Sequence, residues 1–238
     1  MNHGAVVIPA RYQSSRFPGK PLVDIHGKPM IQHVYEICTK AVGKNAVYVA
    51  TDSDLIREVV ESFKGKVVMT SKECLTGTDR LAEANKTLGL DFLINVQGDE
   101  PMVSFHDIRK IFYMMTENSM SVLNCYCDIH PREKESANVP KVVISNSSKL
   151  LYMSRMGVPY DKELCSQAMF KQVCIYGFSK NHLEFFSSHK KSINEKHEDI
   201  EILRFLDFDV PVEMIKVEAG SYAVDTPEDL DLIREIMS

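Results

Sequence analysis

The sequence predicts an α/β fold in which a mostly parallel sheet carries helices on both faces and an antiparallel insertion interrupts the alternation. Three observations lead there. Short apolar runs alternate with segments of helical spacing through the first hundred residues, polar loops rich in Gly, Pro and Asp follow those runs, and after about residue 120 strand-like segments follow one another across turns. With 238 residues, 44% of them hydrophobic and 26% charged, the chain can bury a sizeable core. No repeat or linker divides it, so residues 1–238 read as one domain with an embedded insertion at about 121–185.

Ala5 to Ala10 is a continuous apolar run, as a strand covered on both faces requires, and a long Arg/Ser/Gly/Pro loop follows to about Leu22. From Pro29 to Val42 the residues Met30, Ile31, Val34, Ile37 and Cys38 share one helical face. Ala46 to Thr51 is a second strand, Asp52-Ser53-Asp54 opens a helix to about Phe63, and Lys66 to Thr70 is a third strand. Gly77-Thr78-Asp79 precedes a helix from about Arg80 to Leu88, and Asp91 to Val96 is a buried strand ending at Gln97-Gly98-Asp99-Glu100-Pro101. The helix around Ile108 to Met115 turns an apolar face to the core. Ser121 to Tyr126, Lys141 to Ser145, Lys149 to Ser154 and Val173 to Phe178 read as strands, Glu195 to Leu206 as a helix and Pro211 to Val217 as a strand. Thr226 is placed to cap a last helix, with Pro227 at its first position and Glu228 and Asp229 in its first turn.

Composition excludes several classes of function. The longest apolar runs are far shorter than the roughly 20 residues of a membrane span, and the amino terminus lacks the basic stretch and cleavage site of a secretory signal, so a cytoplasmic protein without membrane insertion is expected. A net charge of −5 argues against generic nucleic-acid binding. The six cysteines are scattered and read as buried reduced thiols, and the eight histidines show no metal-ligand spacing.

Chemistry concentrates where strands end. Pro9 to Leu22 places Arg11, Arg16 and Lys20, two serine hydroxyls and Gly19 in the loop after the first strand, the edge at which open α/β sheets bind ligands. Its cations and backbone N–H groups suit phosphate oxygens, although no GxxxxGK[ST] motif is present; a solvated basic loop is the alternative, and placement at a strand end beside Gly and Pro favours phosphate over it. Asp99 and Asp225 follow other strand-like runs. Magnesium uses one or two protein carboxylates and completes its shell with phosphate and water, so the pair is a candidate metal-nucleotide site. Helix capping for Asp225 and a turn for Asp99 are the structural alternatives.

Five segments in order are similar to the signature of 3-deoxy-manno-octulosonate (Kdo) cytidylyltransferases: Arg11 to Leu22, Val49-Ala50-Thr51-Asp52, Thr76-Gly77-Thr78-Asp79-Arg80, Asn95 to Pro101 and Val224 to Leu230. The resemblance spans nearly the whole chain. It implies a Rossmann-like core, an insertion that forms a homodimer interface, and a CTP-dependent enzyme that activates a 3-deoxy sugar acid, Kdo above all, for lipopolysaccharide or capsule synthesis. On the matching residues it implies that Ala10, Arg11, Ser15, Arg16 and Lys20 hold the CTP phosphates, and that Thr78 and Arg80 lie around the cytidine. Asp99 and Asp225 would bind Mg2+, with Gln97 touching the sugar. Lys20, Arg11, Asp99 and Asp225 form the implied catalytic set.

The sugar side departs from the pattern. The family stretch His-Leu-Gly-Ile-Tyr corresponds to Gln172-Val173-Cys174-Ile175-Tyr176, and Gln172 can hydrogen-bond but cannot become cationic. Tyr176 is kept, as are Arg155, which the resemblance offers to the sugar carboxylate, and Glu195, Glu198 and Glu201, whose spacing of three puts them near one helical face. Glu198 and Glu201 are thereby candidates for sugar hydroxyls, with a solvated role expected for Glu195. An altered acceptor such as 8-amino-Kdo is the nearest alternative, and a non-catalytic nucleotide or sugar-acid binder is the alternative of a different class.

Overall fold

The computed structural model describes residues 3–13, 17–117, 120–160, 162, 169–218 and 222–238. Strand β1 (Gly4–Ala10) pairs in parallel with β4 (Val47–Thr51) on one side and β6 (Phe92–Val96) on the other, and β5 (Val67–Met69) extends the sheet beyond β4. The short strands β2 (Asp24–Ile25) and β3 (Lys28–Pro29) form a separate hairpin. Beyond β6 come β10 (Phe170–Ser179), β7 (Val122–Asp128) and β11 (Val212–Lys216), giving the order β11-β7-β10-β6-β1-β4-β5. Only β10 runs against the other six, since it is antiparallel to both β6 and β7. β8 (Lys141–Ile144) and β9 (Leu150–Ser154) form an antiparallel hairpin attached through β8 to the start of β10. The segment 121–185 therefore supplies two strands of the main sheet, β7 and β10, and among the described residues only the strands of the β8–β9 hairpin lie off its path.

Both sheet faces are covered, which is why the parallel strands read as unbroken apolar runs. On one face Val6, Ile8, Ile94 and Val96 pack against α1 (Met30–Val42), α2 (Asp54–Ser62) and α4 (Phe105–Glu117). On the other, Ala5, Val7 and Leu93 pack against α3 (Gly77–Leu88), α5 (Lys180–Ser188) and α7 (Leu203–Asp207). A smaller cluster of Ile25, Met30, Val224, Leu230 and Ile233 seats α8 (Pro227–Ile236) beside the β2–β3 hairpin. No helix among the described residues is long and apolar enough to cross a membrane.

Three helical segments show the differences from the sequence expectation that bear on capping and on the cleft. Helix α3 starts at Gly77, because the Thr76 hydroxyl accepts the Asp79 N–H at 3.0 Å and so caps the chain earlier than Arg80. The expected helix from Glu195 to Leu206 is two helices, α6 (Ile193–Glu198) and α7, separated by Asp199 in the left-handed conformation. The carbonyls of Glu198 and Asp199 accept from the Arg155 side chain, so this side chain takes acceptors that a continuous helix would use. The third is α5, whose apolar spacing was hidden behind the strand signal of β10; Ser179 caps it.

The α5 cap is expected to respond to pH. His182 Nδ1 accepts the Ser179 N–H at 3.3 Å, and burial holds the imidazole below its ordinary range. Because the unfolded chain takes up this proton at the higher pH, stability is expected to fall as pH drops through about 6.5 toward the folded-state value. Calorimetric melting of wild type against His182→Asn between pH 7.5 and 5 should show the steeper acid loss in wild type; parallel curves would remove the histidine from this account.

Candidate active site

Adjacent parallel strands β1 and β6 end at the same sheet edge, and this brings Arg11 and Asp99 to one side of the sheet. Gly98 makes the approach possible, since a Cβ there would lie 3.1 Å from the Pro9 carbonyl oxygen. From the other side, the Val224 N–H donates to the Asp99 carbonyl at 2.9 Å and sets Asp225 beside Asp99. Thr226 caps α8 in a reciprocal box with Asp229, whose carboxylate also accepts the Asp225 N–H at 2.9 Å. Capping therefore falls to Thr226 and Asp229, and the Asp225 carboxylate faces the cleft.

The loop after β1 closes on itself through Gly19 N–H to the Tyr12 carbonyl, at 2.9 Å. Gly19 has φ 71°, a left-handed turn suited to glycine, and the next residue, Lys20, points back across the sheet edge. Lys20 Nζ donates to Asp99 Oδ2 at 2.7 Å and to Asp225 Oδ1 at 3.3 Å. Burial works against the ammonium, but Asp99 and then Asp225 outweigh it and lift the Lys20 pKa above its ordinary value. A cation thus already bridges the two carboxylates, and that arrangement fits a hard, oxygen-ligated divalent ion whose other ligands come from phosphate and water. Among the described residues no set of three His, Cys, Asp or Glu side chains converges, so an all-protein cage is not what the site offers.

One wall of the cleft is built by α3. Arg80 is 3% exposed and donates to the Thr70 hydroxyl at 2.5 Å, the Ser71 carbonyl at 3.5 Å and Asp52 Oδ2 at 3.1 Å. Its guanidinium is held rigidly in the cleft wall. At the start of the same helix the Gly77 and Thr78 N–H groups donate to Glu201 Oε1 and Oε2, at 3.0 and 2.8 Å. Glu201 thus occupies the positive end of α3, where an anion is stabilised by unpaired N–H groups and the helix dipole.

Of the residues singled out from the sequence, Ala10, Arg11, Lys20, Arg80, Gln97 and Asp99 line one cleft, together with Glu201 and Asp225. Thr78, Arg155, Gln172, Tyr176 and Glu198 do not line it, and Ser15 and Arg16 lie outside the described residues. Arg155 donates to the carbonyls of Glu198, Ala137 and Asp199, while Glu198 accepts from the Ser154 hydroxyl and the Arg155 N–H, so the two brace β9 against α6. Gln172 is buried and donates to Asn124 Oδ1 at 3.0 Å; the Asn124 amide in turn donates to the Val173 and Ile175 carbonyls, at the register shift in β10. Burial, then the Glu100 and Asp99 carboxylates, push the Cys174 thiol well up, so it stays protonated. Glu195, expected in solvent, is 1% exposed and forms a two-point pair with Arg204 at 2.6 and 2.7 Å. An acid and an arginine nine residues apart give no pairing signal in sequence; the break at Asp199 makes the contact.

Comparison with known proteins decides the family. A cytidylyltransferase family model matches residues 5–211. The chain belongs to the cytidylyltransferases. A 3-deoxy-manno-octulosonate cytidylyltransferase of Escherichia coli is 37% identical over 100% of this chain and 97% of its own length. An 8-amino-3,8-dideoxy-manno-octulosonate cytidylyltransferase of Shewanella frigidimarina is 40% identical over 94% of each chain. Among solved structures, CMP:2-keto-3-deoxy-manno-octonic acid synthetase complexed with CTP superposes on this cytidylyltransferase with a TM-score of 0.92, at 37% identity, covering 99% of this chain and 98% of the other. A cytidylyltransferase from Leptospira borgpetersenii, 16% identical with a TM-score of 0.66, shares the fold.

The cleft of this cytidylyltransferase also contains two charged residues that the sequence reading passed over, Lys191 and Asp199. Lys191 follows Lys190 in a polar stretch with no strand-end signal. Asp199 reaches the cleft only because its positive φ turns the chain between α6 and α7.

Proposed function

We propose that this chain is a CTP-dependent cytidylyltransferase that activates a 3-deoxy sugar acid to its CMP-sugar with release of pyrophosphate. The observation that carries the reading is the convergence of Lys20 on Asp99 and Asp225 at the sheet edge where Arg11 and Gln97 leave β1 and β6. In this reading the anomeric hydroxyl of the acid attacks the α-phosphorus of CTP, the bond to the β-phosphate breaks, pyrophosphate leaves and the hydroxyl proton passes to solvent. Lys20 and Arg11 offset charge on the phosphates as it moves toward the leaving group, with Ser15 and Arg16 in the same loop. Asp99 and Asp225 would hold Mg2+, which would offset phosphate charge and lower the pKa of the attacking hydroxyl. Arg80 orients the cytidine from its rigid seat, and Thr78 acts through the first turn of α3. Gln97 contacts the sugar, and Glu201 fixes the wall that the sugar meets. Tyr176 and Gln172 shape β10 behind that wall, and Glu198 with Arg155 supports it. No covalent enzyme intermediate is required, so positioning and charge supply the rate.

Kdo is the acceptor the E. coli relative supports. An 8-amino acid is the second reading, favoured by the 40% identical Shewanella relative and by Gln172 and Cys174. The proposal extends to a cytoplasmic homodimer serving lipopolysaccharide or capsule synthesis; exposed Leu151, Met156 and Tyr160 supply apolar surface for a dimer next to the β8–β9 hairpin.

The deciding experiment is pyrophosphate release from CTP and magnesium with Kdo, 8-amino-Kdo and sialic acid, and with ATP and UTP as controls. Release with CTP and one of the two octulosonates is expected. Release with sialic acid alone, or equal turnover with ATP, would overturn the assignment.

A further inference from the structure

An acid substrate brings a carboxylate into the cleft, and a buried carboxylate needs a cation. Among the described residues the cleft is lined by Arg11, Lys20, Arg80 and Lys191. Lys20 is held by two aspartates, Arg80 by Asp52, Thr70 and Ser71, and Arg11 leaves β1 beside the loop assigned to the triphosphate. The positive end of α3 is filled by Glu201. Arg155 spends donors on three backbone carbonyls and does not line the cleft.

Lys191 is placed differently. Among the described residues its ion pair is to Asp199 Oδ1 at 3.7 Å, a long contact, and the Asp199 side chain is 81% exposed, so solvent screens it and leaves ammonium donors for another anion. The backbone around it is firm. Arg204 Nη1 donates to the His189 carbonyl at 3.0 Å, and Ser192, the next residue, caps α6 in a reciprocal box with Glu195. The wall nearby is the one the proposed function assigns to the sugar: a Cβ at Gly77 would lie 3.3 Å from Gln97 Nε2 and 3.6 Å from Glu201 Oε1, which puts these two side chains near each other, and Glu201 is two residues from Asp199.

We infer that Lys191 receives the carboxylate of the sugar acid. The inference rests on the cytidylyltransferase reading above and names a substrate-binding residue for it. With saturating CTP, Lys191→Met should raise the KM for Kdo roughly 10- to 100-fold, with the KM for CTP within about twofold, and Lys191→Arg should recover most of the loss. The carboxamide of Kdo should bind wild type and Lys191→Met nearly alike, because this ligand carries no charge for the Lys191 ammonium to pair. An unchanged KM for Kdo in Lys191→Met, or an equal rise in both KM values, overturns the inference. Calorimetric titration of Kdo into both proteins tests it without turnover, and equal affinity would also overturn it. Failure of the underlying reading looks different: wild type itself would release no pyrophosphate with either octulosonate.

Discussion

Asp99→Ala is expected to lower kcat for pyrophosphate release by about a thousandfold or more, while the KM for CTP changes by less than about tenfold. The split follows from what each residue touches. Asp99 accepts from Lys20 at 2.7 Å and is the nearer of the two carboxylates that hold a cation at the sheet edge; in the proposed reading the triphosphate is met by Arg11 and the loop to Lys20, which the substitution leaves in place. Its backbone role is also kept, because it is the Asp99 carbonyl that accepts from Val224. Asp99→Asn should be nearly as impaired, since an amide keeps the size but loses the charge. Initial rates at varied CTP and magnesium measure both parameters. If kcat stayed within tenfold of wild type, the cation site would have to be moved elsewhere, and a loss confined to the KM for CTP would favour a nucleotide binder over an enzyme.

The largest stability effect is expected at Arg204. It makes a two-point pair with Glu195, donates to the Phe186 and His189 carbonyls and lies over the Phe186 ring at 3.6 Å, with both charged side chains at 3% exposure or less. Arg204→Ala leaves Glu195 charged, buried and unpaired, and such losses cost about 3–5 kcal/mol. For a chain of this size that is a fall in melting temperature on the order of 10 °C. The double variant Glu195→Leu with Arg204→Met should recover much of it, because two apolar groups remove the stranded charge. Calorimetry on the two variants distinguishes this account from simple loss of packing, under which the double variant would melt no higher than the single one. The loop at His189 loses its anchor in Arg204→Ala, so the KM for the acid should rise along with the instability.

The alternation of covered strands and amphipathic helices was legible because a strand buried on both faces must be apolar throughout, and β1 and β6 are. Motifs at strand ends were legible for a related reason: parallel strands end on one edge, so pairing brings Arg11 and Asp99 to one side of the sheet. Asp225 was legible by motif only. What seats it beside Asp99 is a hydrogen bond across 125 residues of chain, from Val224 to the Asp99 carbonyl. The sugar side was less legible, since its side chains are sorted by which backbone carbonyl or amide each one finds. Glu195, Glu198 and Glu201 are alike in sequence, yet one is buried against Arg204, one braces β9 and one fills the amino end of α3.

Local chemistry therefore determined the layered α/β architecture, the strand-end loops and the residues with charge to offer a nucleotide, because periodicity, capping and strand polarity act over a few residues. Tertiary structure decided the insertion of β10 between β6 and β7, the break at Asp199 and the presence of Lys191 in the cleft. Those outcomes depend on pairings between segments far apart in the chain, such as Arg155 with the Glu198 and Asp199 carbonyls. Their energies exist only once the sheet has brought the partners together.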